Sequence, residues 1–210
     1  AHLRKMHAFW SLLDRHGPVQ APVAESFREH VIVIGCGRVG QHLVKVLGHL
    51  GMARLVVEHD IGRVTELDRQ GVPTLYGDAA NSDMLSHVRL KQARAVVVTL
   101  PDEVAAAMVV ATARAEAAHV PIIVRAATQE GVDRLFALGA QHVIFPELEG
   151  GLEMMRETLT RLGFSESDVE GYADAVRRSH YDLSISTDAE QEALEQMLGE
   201  KKRSEPITDH

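Results

Sequence analysis

Six short apolar runs between residues 30 and 145, separated by helical periods, predict a doubly wound α/β fold with one parallel sheet. Three observations carry that reading. Most of the runs are β-branched and lack in–out alternation, as strands covered on both faces require. Each is followed by apolar residues at three- and four-residue spacing. A glycine cluster sits where the first run meets the first helical period. Right-handed crossovers favour the strand order 3-2-1-4-5-6.

The predicted strands are Val31–Ile34, Arg54–Glu58, Thr74–Tyr76, Arg94–Thr99, Ile122–Arg125 and His142–Phe145. Between them, Val39, Leu43, Val46, Leu47 and Leu50 form one apolar helix stripe, and Ile61, Val64 and Leu67 another. Asn81 or Ser82 caps a short helix through Val88. Val104, Met108 and Ala111 begin a longer, alanine-rich one. Thr128 caps a helix through Leu138 that Gly139 terminates.

Pro146 opens a helix to about Leu162, with Leu148, Leu152, Met155 and Leu159 on one face. With the six-strand core complete, that stripe predicts a symmetric homodimer built on this helix. Beyond Gly163, Asp168–Arg178 and Ala189–Leu198 read as helices of an acidic tail whose last dozen residues are mobile. At the other end, Ala1–His16 places Leu3, Met6, Trp10 and Leu13 at helical spacing among Arg4, Lys5 and Arg15. Such a helix suits a membrane surface, its own domain or a partner equally. Gly17-Pro18 ends it, and a linker follows. The expected organisation is therefore 1–29 helix and linker, 30–145 sheet domain, 146–162 crossover helix, and 163–210 tail.

The net charge of -8 is uneven: residues 163–210 hold twelve acids against five Lys and Arg, so the remainder is nearly neutral. Without a basic footprint, nucleic acid is not an expected partner. The single cysteine, Cys36, forms no intramolecular disulfide. No apolar run approaches the roughly 20 residues of a membrane span, so this portion is expected to be soluble, with any membrane part upstream of Ala1. The twelve histidines show no metal-ligand spacing.

Gly35-Cys36-Gly37-Arg38-Val39-Gly40 follows the first strand directly and opens a helix, the context in which a G-x-G-x-x-G set binds a dinucleotide or nucleotide. Gly35 permits the turn, Gly37 admits phosphate to the backbone, and Gly40 lets helix and strand approach. The N–H groups and helix dipole there favour an anion. Glu58 ends the second strand, where an acid binds both hydroxyls of an adenosine ribose and repels a 2′-phosphate, disfavouring NADP. Neighbouring His59 joins the predicted set. Asp60 reads as the cap of the next helix. Arg38 is placed over a phosphate, Asp78 and Ala79 at the adenine edge, and Thr99 across the switch point, its hydroxyl near ribose or phosphate. Cys36 is read as packing in the turn.

The run from His30 through Gly40, with Tyr76-Gly77-Asp78-Ala79 and Ile122-Ile123-Val124-Arg125-Ala126, resembles the regulator-of-potassium-conductance (RCK, or TrkA N-terminal) domain over about residues 30–162. The nearest variety is the cytosolic tail of Kef-type monovalent cation:proton antiporters. The resemblance implies a homodimer with AMP, ADP, ATP or NAD(H) in each Rossmann unit. It also implies control of a membrane transporter domain, N-terminal in the same polypeptide, from the cytoplasmic face of the membrane. In glutathione-gated members one arginine follows the fifth strand and another lies on the crossover helix; Arg125 and Arg156 stand at those places. Two other functions are weighed. A soluble regulatory subunit of a separate channel needs no fused membrane part. An NAD-dependent oxidoreductase needs a substrate-side acid or base, and His180 and Tyr181 offer no catalytic spacing, so no enzyme is expected.

Overall fold

The computed structural model describes residues 28–181 and 188–204. The expected helix at Ala1–His16, and its linker up to residue 27, lie outside the described residues.

Six strands form one sheet in the order β3-β2-β1-β4-β5-β6: β1 (His30–Ile34), β2 (Arg54–Glu58), β3 (Thr74–Tyr76), β4 (Ala93–Val98), β5 (Ile122–Arg125) and β6 (His142–Ile144). This is the predicted Rossmann-like topology. Pairing is parallel, and in register Ile34 lies between Val57 of β2 and Val98 of β4. The helices are α1 (Arg38–His49), α2 (Ile61–Arg69), α3 (Ser82–Ser86), α4 (Glu103–Glu116), α5 (Gln129–Ala137), α6 (Pro146–Arg161), α7 (Glu166–Tyr181) and α8 (Asp188–Ser204). β4 starts and ends one residue before its predicted bounds, which leaves Thr99 beyond the strand. β6 likewise stops one residue short of Phe145. The tail helix runs past Gly199, where loss of structure was expected.

The chain divides into two compact units. One runs through Arg125 and adds Arg134–His142; the other is Ala126–Asp133 with Val143 onward.

In the first unit, Val31, Val33 and Val56 pack against Val44 and Leu47 of α1, Leu67 of α2, Val72 and Cys36. The predicted α1 stripe is rotated. Its buried residues are Gly40, Val44 and Leu47, whereas Val39, Val46 and Leu50 are exposed. Gly40 sets that rotation, since only its bare Cα can touch the backbone beneath it. On α2, Val64 and Leu67 are buried, Ile61 is exposed, and Asp60 caps the helix by accepting Arg63 N–H. On α4 the expected face is the wrong one: Ala106, Val109, Val110 and Ala113 are buried, and Val104 and Met108 are exposed. That helix is apolar nearly all round, so periodicity cannot orient it, and small residues let it lie close to β4 and β5.

In the second unit, Leu152 of α6 is buried with Ala173 and Val176 of α7, flanked by Leu148, Met155 and Tyr172. The stripe assigned to a dimer is therefore covered by the chain's own next helix. Gly163, at φ +85, makes the left-handed turn that sends α7 back along α6. Arg177 on α7 holds Glu149 of α6 at 3.1 Å and Glu170 and Asp174 of its own helix at 3.0 Å. Tyr181 Oη donates to Glu149 at 3.0 Å and accepts Phe145 N–H at 3.1 Å.

Candidate functional site

The three glycines of the β1–α1 loop are separated by geometry into three jobs. Gly35 has φ +83, a left-handed conformation that suits glycine alone. A Cβ on Gly40 would stand 2.4 Å from the Gly35 carbonyl oxygen and 3.0 Å from Thr99 Oγ1, so helix and strand meet there without space for a methyl. Gly37 differs from both. Its φ of -71 is open to any residue, and a Cβ would meet nothing within 4 Å. The loop is thus closed below and open above Gly37.

Gly37 is also the N-cap of α1, and no side chain caps that end. The first N–H groups of the helix face outward together with the positive end of its dipole. Arg38 and Val39 are exposed on this first turn, and Arg38 makes no hydrogen bond or ion pair among the described residues.

Glu58 is buried, and the protein itself uses its carboxylate. Oε2 accepts Cys36 N–H at 2.6 Å, and Oε1 accepts His59 and Asp60 N–H at 2.9 Å. Arg63 donates to Oε2 at 3.5 Å. Burial pushes the Glu58 pKa up, but the Asp60 and Cys36 N–H donors, the Arg63 charge and His59 N–H outweigh it. The net result is a carboxyl held below its ordinary range. The His59 ring is exposed, with Nδ1 3.4 Å from Glu58 Oε1. Cys36 is fully buried; burial, then the Glu58 charge, push its thiol up to about 11, so it is a protonated packing group.

Thr99 spends its proton inside the fold, donating from Oγ1 to the Gly35 carbonyl at 2.9 Å, while its N–H meets Ile34 O at 2.9 Å. Gly77 N–H donates to Glu58 O at 3.0 Å, which brings the loop after β3 to the same edge. In that loop Asp78 is exposed, one carboxylate oxygen taken by Ala80 N–H at 3.0 Å, and Ala79 is buried. Arg125 stands apart. It ends β5, two strands from β1, which is about 10 Å at ordinary strand spacing.

The glycine loop, Glu58, His59 and Thr99 thus form one contiguous cluster, joined at its edge by Asp78 and Ala79. Sequence reasoning missed Arg63, whose guanidinium donates to the Glu58 carboxylate. A basic residue in the first turn of the helix after an acid-ended strand was the available signal. Arg156, paired with Arg125 in the resemblance, is held by Glu153 at 2.6 Å and Glu157 at 3.2 Å on its own helix. Among the described residues no group of three or more His, Cys, Asp or Glu could hold a metal ion, and no helix is long and apolar enough to cross a membrane.

The TrkA-N domain family matches residues 31–146. A candidate K(+) efflux antiporter, KefB of Alkalimonas amylolytica, is 29% identical over 156 residues, covering 74% of this chain and 24% of that protein. A candidate cation/proton antiporter, YbaL of Escherichia coli (strain K12), is 33% identical over 120 residues, covering 57% and 22%. This chain thus spans about a quarter of the length of these relatives. The crystal structure of the YbaL TrkA-N domain aligns with TM-score 0.60 at 32% identity, over 61% of this chain and 96% of that one. The Kef CTD of Shewanella denitrificans in its AMP-bound form aligns with TM-score 0.63 at 22% identity, over 79% and 98%. The GsuK channel bound to NAD aligns with TM-score 0.58 at 21% identity, over 62% and 24%. These last two share the fold. With more than half its length matched by one family, the chain belongs to the TrkA-N domain family.

Proposed function

We propose that this chain is a nucleotide-binding regulatory module of a potassium or other monovalent cation:proton antiporter, and not an enzyme. The observation that carries the reading is the open, uncapped α1 N-terminus above Gly37, next to an exposed Arg38 that has no partner among the described residues. A phosphate fits there against N–H donors and a guanidinium. The ligand class is an adenine nucleotide, AMP, ADP, ATP or NAD(H), in keeping with the AMP and NAD held by two proteins of the same fold. Ribose hydroxyls meet Glu58 by displacing Arg63, whose 3.5 Å contact is the longest of the carboxylate's hydrogen bonds. The backbone donors stay in place. NADP is disfavoured, because its 2′-phosphate would face that buried carboxylate. Asp78 and Ala79 lie where adenine extends.

The antiporter relatives support a membrane transporter domain as partner, N-terminal in the same polypeptide, with this module on the cytoplasmic face. A homodimer remains part of the proposal, on a face other than the covered α6 stripe. Exposed Val104 and Met108 of α4 are where we place its contact. Glutathione is left out, since two carboxylates already hold Arg156.

Thermal unfolding with AMP, ADP, ATP, NAD, NADH and NADP tests the site. Binding to the folded state alone stabilises by about 2.7 kcal/mol at a hundredfold excess over Kd. The expected result is a shift with at least one of the adenine nucleotides that lack a 2′-phosphate, none with NADP, and loss of the shift in Gly37→Val. No shift with any nucleotide overturns the reading.

A further inference from the structure

A groove of about 720 Å³ runs between α1 and α2, a volume typical of small-molecule sites. Lys45 and His49, one turn apart on α1, form one wall; Arg63, Glu66 and Gln70, at i, i+3 and i+7, form the other. Arg54, the first residue of β2, reaches the lining between them. Lys45 and His49 lie roughly 10–16 Å along α1 from Arg38, so this is not the glycine loop.

The charge of the groove is unbalanced. Its one carboxylate, Glu66, is already engaged by Arg69 at 3.4 Å and Gln70 at 2.8 Å. Lys45 and Arg54 have no ion pair among the described residues, and Arg54 Nε is shut away from water with no acceptor. The guanidinium lies flat on α1 at Gly48, where a Cβ would stand 2.7 Å from Nη2 and 2.9 Å from Cζ. Glycine inside a helix is unfavourable relative to alanine, and a buried guanidinium N–H without an acceptor is unfavourable again. An anion on the guanidinium offsets the second, and the bare Gly48 is what leaves room for the guanidinium to lie there.

We propose that this groove binds a phosphoryl group carried by a small soluble anion, gripped bidentately by Arg54 with Lys45 and His49 beside it. Arg54 presents two parallel donors to such a group, and Lys45 adds a point charge. The site is independent of whether the glycine loop takes nucleotide.

The test is a titration of the 15N-labelled chain with pyrophosphate, followed through backbone amides and the Arg54 Nε–H. Saturable shifts are expected at Gly48, His49 and Arg54. Arg54→Gln should weaken binding by about tenfold, as loss of a charged hydrogen bond does. Lys45→Gln should weaken it by about threefold, while Lys91→Gln, an exposed cation elsewhere, leaves it unchanged. Gly48→Ala displaces only the flexible end of Arg54, so it keeps the fold and still weakens binding; with Lys45→Gln it decides the matter should Arg54→Gln not fold. Shifts confined to residues 35–40, or an equal loss in Lys91→Gln, overturn the site. A parallel titration with phosphatidylglycerol vesicles separates sources: displacement of pyrophosphate that depends on Arg54 assigns the phosphoryl group to a lipid headgroup, and no displacement assigns it to a soluble ligand.

Discussion

The carboxylate of Glu58 accepts the backbone N–H of Cys36 at 2.6 Å, tying the end of β2 to the turn after β1. A residue type read in sequence as a ligand for ribose is thus first a brace for the glycine loop. Removing its charge tests both roles. Glu58→Gln should lose about 1–3 kcal/mol at neutral pH, because buried N–H donors keep a poorer acceptor. The native pKa is depressed, so the carboxylate's stabilisation is present above the unfolded value of about 4.3 and is lost as pH falls through the lower folded value. Urea melts at pH 7 and pH 3 should show the gap between wild type and variant closing at acid pH. An unchanged gap contradicts the brace.

Gly37 and Gly40 should respond oppositely to the same methyl group. Gly37→Ala enters open space at an ordinary φ and leaves stability within about 0.5 kcal/mol. Gly40→Ala meets Gly35 O and Thr99 Oγ1 and should cost about 1–3 kcal/mol or more. Chemical denaturation of the two variants checks this directly.

Thr99→Val keeps the shape and removes the hydroxyl donor to the Gly35 carbonyl. The expected loss is about 1–2 kcal/mol, measured by thermal or urea unfolding. Nucleotide affinity should fall with it, because the carbonyl is part of the loop.

Leu152→Ala distinguishes a folding contact from a subunit contact. Buried between α6 and α7, it should destabilise by about 2–5 kcal/mol while leaving the mass from light scattering unchanged. Met108→Asp should do the reverse, lowering the mass with little effect on stability. A dimer lost with Leu152→Ala alone returns the interface to α6.

The thiol of Cys36 should resist disulfide reagents at pH 8. With its pKa near 11, about one molecule in a thousand is thiolate, and burial restricts even that to transient openings. Labelling as fast as in the unfolded chain contradicts the buried placement.

What the sequence determined by itself is local. Strand positions, the glycine order Gly35, Gly37, Gly40, and the caps at Asp60, Asn81 and Thr128 were legible because each depends on neighbours within a few residues. The strand order followed from chain handedness. Tertiary structure decided what depends on distant atoms. Gly40 contacting Gly35 and Thr99 turned α1 so that Val44, not Val46, faces the core. Alanines turned α4 inside out relative to the pattern, since a helix apolar on every side carries no phase. The α6 stripe was read correctly as apolar, but its cover is α7, and periodicity names no partner. Glu58 shows the same limit at the site: its position marks the end of a strand, whereas the Cys36 N–H that its Oε2 accepts arrives from the turn after β1 only when the sheet closes.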